Sequence, residues 1–241
     1  MELEICVDSV ESAIAAAEGG AGRIELCSAL SEGGITPSVG LIDAVRAAVS
    51  IPQFVIIRPR GGSFVYSNFE LDVMRKDIVD AKTRGVDGVV LGVLTGEDTV
   101  DRARTTELIE LARPLQVTFH RAFDACTDLH RALEDVIACG ADRLLTSGGK
   151  ADAVKGMNMI ASLQRRAANR MRIMAGGGIR VSNVRLVARR TGIREVHTSL
   201  NTHGKGVGRI RFLVRESDVR AFKSALLAIP VEDSTGTLVQ S

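Results

Sequence analysis

Residues 1–9 read MELEICVDS, in which Leu3, Ile5 and Val7 alternate with Glu4, Cys6 and Asp8. A repeat of two is that of a β-strand, whose successive side chains point to opposite faces. One face is aliphatic. The other carries two carboxylates and a thiol, which is not how a protein ordinarily covers itself against water. What lies against that second face decides the fold.

Aliphatic runs of the same kind recur along the chain: LEICVD (3–8), RIELCS (23–28), FVIIRPR (54–60), GVVLGVL (88–94), VTFHRAFD (117–124), RLLTSGG (143–149), RIMAGGGI (172–179) and EVHTS (195–199). Amphipathic helical patterns separate nearly all of them. Strands alternating with helices pair in parallel through right-handed crossovers. A glycine precedes each even-numbered strand (Gly20 or Gly22, Gly85, Gly140, Gly192) and reads as the residue just past a helix end. The third and fifth strands are entered through proline instead, at Ile51-Pro52 and Arg113-Pro114. The chain therefore repeats in strand-helix-strand-helix quarters of roughly 50–65 residues, and four quarters make a (β/α)8 TIM barrel, an α/β fold in a single domain. The barrel is expected over 1–229, with 230–241, which lacks periodicity, as a loose tail. Helix starts are expected at Thr36 before Pro37, at Ser67 with Glu70 as a capping box, and at Ser182. Asp8 reads as the N-cap of the first helix, with Glu11 completing a box.

Composition narrows the function. With 31 basic against 29 acidic residues, and Arg165-Arg166 and Arg189-Arg190 on helical patterns, no basic stripe suits a nucleic acid. Seven Phe, one Tyr and no Trp leave no base-stacking platform. No secretory signal and no apolar run of membrane-spanning length is visible, so the chain reads as cytosolic. Cys6, Cys27, Cys126 and Cys139 follow no zinc-knuckle spacing and are expected as free thiols.

In a barrel the outward side chains of each strand lie beneath helices, while the inward ones fill the interior and line the mouth at the strands' C-terminal ends. The polar face of the first strand is thus the inward one. Glu4, Cys6 and Asp8 from strand one, Glu25 and Cys27 from strand two, Arg58 and Arg60 from strand three, Thr118 and His120 with Asp124 beyond from strand five, and His197 and Ser199 from strand eight share one chamber. Closure sets His197, Cys6 and Cys27 on three adjacent strands, about 4.8 Å apart.

The segments EICVDS, RIELC followed by LSEGGITPS, IRPRGG with VYS, VTFHRAFD, LLTSGG and GGGI occur in the order and spacing of the CutC copper-homeostasis family, which the chain resembles over nearly residues 1–215. The resemblance implies a cytosolic TIM barrel, usually oligomeric and linked by name to copper handling. Metal ligands are implied among the cysteines near the ends of the first strands, here Cys6 and Cys27. Three departures stand out: Ala175 where proline is expected before the glycine triplet, Ser63 where an acid is common after Arg60-Gly61-Gly62, and a shortened, basic stretch from Leu200 to Arg215.

Two chemistries follow. Cu(I) prefers thiolate and accepts imidazole, so Cys6, Cys27 and His197 form a sensible metal site, with each cysteine the fourth residue of its strand. The alternative is that both thiols are small apolar filler, as Cys139 beside Gly140 is expected to be; Cys126 is expected as a loop thiol. Separately, Arg58, Arg60, His120 and the Gly176-Gly177-Gly178 turn resemble an anion site where barrels commonly bind phosphate, with Glu25, His120 and Asp124 as candidate acids and bases. The alternative there is internal pairing of Arg58 or Arg60 with Glu4, Glu25 or Asp8. Lys150 reads as a solvent-exposed lysine. The functional expectations are a copper-associated protein first, an enzyme on a small anionic metabolite second and a scaffold last. The partner is a metal ion or a small anion, and the chain is expected to form a homo-oligomer through its helix faces.

Overall fold

Each of the eight aliphatic runs forms a strand, and all but the first are shorter than their runs. In the computed structural model, which describes residues 1–200, 202–203 and 212–228, the chain alternates strand and helix, with a short antiparallel pair, Thr202–His203 and Phe212–Leu213, before the last helix. The order is β1 (Glu2–Val7), α1 (Val10–Glu18), β2 (Arg23–Leu26), α2 (Val39–Ala48), β3 (Gln53–Ile56), α3 (Asn68–Thr83), β4 (Gly88–Leu91) and α4 (Arg102–Ala112). It continues as β5 (Gln116–Phe119), α5 (Leu129–Ala138), β6 (Arg143–Thr146), α6 (Met157–Ala167), β7 (Arg172–Ala175), α7 (Val184–Thr191), β8 (Glu195–Thr198) and α8 (Glu216–Leu227). Neighbouring strands pair in parallel, and β8 returns to β1 through Glu2–Glu195, Leu3–Val196, Glu4–His197 and Ile5–Thr198. The ring is closed, as the sequence predicts. The expected 230–241 tail lies outside the described residues, as does most of the segment from Leu200 to Arg215. No helix among the described residues is long and apolar enough to cross a membrane.

Helix ends follow local chemistry, with small corrections. Gly20, Gly85, Gly140 and Gly192 all take positive φ at the ends of their helices, which identifies Gly20 rather than Gly22 as the first of the set. The capping box at Ser67 and Glu70 forms as expected. Asp8 is not the cap of α1; Ser9 is, accepting the Ser12 N–H at 3.2 Å. α2 starts at Ser38, two residues later than expected, because the Thr36 hydroxyl is engaged by the Arg58 N–H at 2.9 Å. Asn183, one residue beyond Ser182, precedes α7.

The strand faces sort as the alternation requires. Leu3, Ile5, Val7, Ile24, Leu26, Val55 and Val89 join the large core beneath the helices, whereas Cys6, Cys27, Phe54, Ile56 and Val90 form a separate cluster inside the barrel. The registers stack the interior in layers from alternate strands. Stepping from one odd strand to the next carries an inward position two residues forward relative to direct pairing, so Glu4, Phe54, Thr118 and Met174 fall at one level and the circuit returns to Glu4. Below them lie Arg23, Gly88, Arg143 and Glu195 from the even strands; above lie Glu25, Val90, Leu145 and His197. The next levels toward the mouth are Cys6, Ile56, His120 and Gly176, then Cys27, Gly92, Ser147 and Ser199.

Candidate functional site

The lowest layers are where charge is buried. Arg23 pairs with Glu4 and, at 3.1 Å, with Glu195; Arg143 also pairs with Glu195. Both guanidinium groups lie over the Phe54 ring, at 4.9 and 5.4 Å from its centre. Gly88 makes room for that ring, since a methyl group there would stand 2.5 Å from it. Buried charges persist only when paired, and here two cations meet two anions. The expected internal network therefore exists, but with different arginines: Glu4 takes Arg23, and neither Arg58 nor Arg60 reaches it. The sequence signal for Arg23, Arg143 and Glu195 was their position, two residues before the inward Glu25, Leu145 and His197.

Glu4 couples this floor to the chemistry above. Its other oxygen, Oε1, lies 2.7 Å from His197 Nδ1, which leaves Nε2 facing Glu25 Oε2 at 3.8 Å. Full burial alone would raise the Glu4 carboxyl, yet Arg23 and His197 hold it at about 2. For His197, burial opposes the charged ring, but Glu25 and Glu4 outweigh it and raise its pKa. Glu25 is raised chiefly by burial, with His197 opposing and Glu4 reinforcing. Glu25 and His197 thus form an acid–base pair in which both proton affinities are raised.

Cys6 stands beside this pair. One donor atom each from Cys6, Glu25 and His197 lie within 4.8 Å of one another. Cys27 Sγ is 3.6 Å from Cys6 Sγ and also 3.6 Å from the Val7 carbonyl oxygen. Both thiols are buried and free. The hydrogen bond with Cys27, burial and the charge of Glu25 hold the Cys6 thiol well above the usual range, so it carries its proton at neutral pH. Although each cysteine is the fourth residue of its run, the shear of the barrel offsets them: Cys6 pairs with Glu25, and Cys27 stands one layer nearer the mouth. Their sulfur atoms nonetheless meet. The other two cysteines are buried as well, Cys139 at the end of α5 and Cys126 at 8% exposure.

A cavity of about 510 Å³ opens above, bordered by Cys6, Glu25 and His197 on one side and by His120, Arg58 and Phe64 on the other. Small residues at the upper inward positions create it. A methyl group at Gly92 would lie 2.6 Å from the His120 ring, and one at Gly176 would strike Leu145. His120 is 5% exposed; its Nδ1 accepts the Ala122 N–H at 3.2 Å, and Nε2 has no partner among the described residues. Burial, then the charge of Arg58, push this ring down to about 3, so it is neutral.

The remaining anion-site expectations divide. Arg58 borders the cavity, but its guanidinium donates to the carbonyls of Glu32, Gly34 and Gly62 at 2.9 to 3.0 Å, holding two loops together. Arg60 lies outside: β3 ends at Ile56, the chain leaves the barrel wall, and Arg60 pairs with Glu70 at 2.5 Å and stacks over Tyr66. Asp124 is not placed as a base, because it is saturated by Arg121, the Thr146 hydroxyl and the N–H groups of Ser147 and Gly149. Gly177 and Gly178 border the cavity, whereas Gly176 packs beneath it against Leu145 and His197. Lys150 is exposed, as expected.

The molecule is a closed parallel βα barrel with a thiol, imidazole and carboxylate cluster beneath its C-terminal mouth. The CutC family model matches residues 1–202, and the chain belongs to that family. It is 49% identical over 197 residues to the copper homeostasis protein CutC homolog of Mus musculus, covering 82% of this chain and 72% of that protein. It is equally similar to the family protein CutC of Chromobacterium violaceum, covering 80% of that protein. The crystal structure of the copper homeostasis protein CutC from Streptococcus agalactiae is 32% identical and superposes with a TM-score of 0.79, covering 83% of this chain and 98% of that one.

Proposed function

We propose that this chain handles copper by holding Cu(I) at the floor of the mouth cavity, through Cys6 and Cys27 with His197 as the third donor. The observation that carries the reading is the 3.6 Å approach of the two buried sulfur atoms, one of which, on Cys6, lies within 4.8 Å of a His197 ring nitrogen. Two sulfurs sharing one ion at metal–sulfur distances of about 2.3 Å stand about 3.8 Å apart at a tetrahedral angle, so the pair needs little rearrangement. The donor set is soft, which favours Cu(I) over the hard cations that carboxylates select. His197 also has the outer support that metal-binding histidines use: Glu4 engages Nδ1 and leaves Nε2 toward the site. Glu25, a harder ligand with raised proton affinity, serves as a neighbour that relays to solvent the proton Cys6 loses. A cytosolic location belongs to the same reading, because reducing conditions keep the thiols available.

The test is an anaerobic titration of fully reduced protein with Cu(I) in competition with a chromophoric chelator. Wild type is expected to withhold one equivalent, and Cys6→Ser with Cys27→Ser to withhold none while keeping its fold by circular dichroism. Undiminished stoichiometry in the double variant rejects the site.

A further inference from the structure

We propose that the cavity above the thiols is a binding site for a small molecule bearing a carboxylate or phosphate group, whose oxygen accepts a hydrogen bond from His120 Nε2–H. The site is distinct from the thiol floor and needs no metal.

The tautomer follows from geometry. His120 Nδ1 accepts the Ala122 N–H at 3.2 Å, so its lone pair is used and the ring proton sits on Nε2. That N–H is a donor on a side chain more than nine-tenths buried, has no acceptor among the described residues, and belongs to a ring bordering the cavity; the nitrogen itself is closed to water, so the ligand oxygen meets it after a small turn of the ring. An unmade buried hydrogen bond is costly, and it is retained where a ligand completes it. Gly92 is what lets the ring sit there at all.

The charge of the wall sets the class of ligand. Arg58, Arg121 and Arg180 border the cavity; Arg121 is paired with Asp124 at 2.8 Å, which leaves Arg58 and Arg180 against one carboxylate, Glu25, which faces His197. The two terminal nitrogens of Arg58 spend their hydrogen bonds on carbonyl oxygens and its Nε is buried without a partner among the described residues, so it contributes field rather than contact. Arg121 packs against the turn at Gly177. A neutral donor within a net-positive, half-enclosed chamber suits an oxyanion, and about 510 Å³ is the size of an ordinary small-molecule pocket. His120 does not compete for copper, since one ring nitrogen accepts a backbone N–H and the other carries the proton.

The experiment is NMR of reduced, metal-free protein labelled with ¹⁵N-histidine, titrated separately with inorganic phosphate and with malonate. The expected result is a His120 Nε2–H tautomer whose resonance moves saturably with at least one probe. Phosphate alone assigns a phosphate ester, malonate alone assigns an organic acid, and both assign the shared oxyanion chemistry. His120→Phe should weaken binding at least tenfold, and His120→Asn, which restores an N–H donor, should recover part of it. Chelator competition for Cu(I) on the same wild-type protein is read independently of the His120 resonance, so loss of copper binding and loss of anion binding are separately visible. A proton on Nδ1, no movement of the resonance with either probe, or equal binding by His120→Phe overturns the proposal. The resonance is read in wild-type protein, so a variant that fails to fold leaves the result decisive.

Discussion

At the scale of single residues, two buried histidines carry opposite electrostatics. His197 is flanked by Glu4 and Glu25 and held toward its charged form, whereas His120 lies among apolar side chains near Arg58 and is held neutral. For His120 the folded pKa lies below that of the unfolded chain, so the unfolded state binds more protons between pH 6.5 and about 3 and stability falls as pH falls. The expected contribution is a loss of about 2 kcal/mol between pH 6.5 and 4.5. Urea midpoints of wild type and His120→Asn at the two pH values test it: the difference between the proteins should shrink or reverse toward acid, and a constant difference contradicts the assignment. Glu4 behaves as a depressed carboxyl. Its stabilising contribution is complete above pH 4.5 and is lost as pH falls toward 2, about 3 kcal/mol in all. Glu4→Gln keeps the shape but leaves Arg23 short of an anion and His197 without its orienting acceptor. It is expected to cost about 3–5 kcal/mol in denaturant unfolding and to weaken Cu(I) binding by about 10–100-fold. Unchanged affinity would separate His197 from the metal. Cu(I) affinity should also rise with pH, because the raised Cys6 thiol must release its proton on binding, and a flat profile between pH 6 and 8 contradicts thiolate ligation.

At the scale of strands and loops, the glycines that face inward matter as absent volume. Gly88→Ala would drive a methyl group into the Phe54 ring, clamped between Arg23 and Arg143, and is expected to destabilise by about 1–3 kcal/mol. Adding Phe54→Leu should recover part of that loss, and a double variant no better than the sum of the singles would deny the contact. The same strands show what was readable beforehand. Alternation in MELEICVDS identifies the inward face, and the glycine and proline punctuation marks the entry to six of the eight strands, all but the first and seventh. Strand ends were less readable. FVIIRPR continues its alternation to Arg60, but pairing stops at Ile56, so the pattern promised an inward arginine where the chain had already turned into a loop. Asp124 likewise continues a strand-like run yet caps the loop after β6. The partner of Glu4 was not readable either, since it depends on the stagger between β1 and β2, which sets Glu4 against Arg23.

At the scale of the whole molecule, closure makes the site. Glu4 reaches His197 only because β8 hydrogen-bonds to β1, so residues 193 positions apart share a proton-bearing contact. The bottom of the barrel is charge-paired, and the top is hollowed by Gly92, Gly176, Ser147 and Ser199. A soft-metal floor and an oxyanion wall can then occupy one opening without sharing a ligand. The most direct measurement of the central claim is copper K-edge X-ray absorption on the protein loaded anaerobically with one equivalent of Cu(I). The account predicts an inner shell of two sulfur atoms and one nitrogen, with both sulfurs lost in Cys6→Ser with Cys27→Ser. A shell of nitrogen and oxygen alone, or a sulfur shell that survives in the double variant, would contradict it.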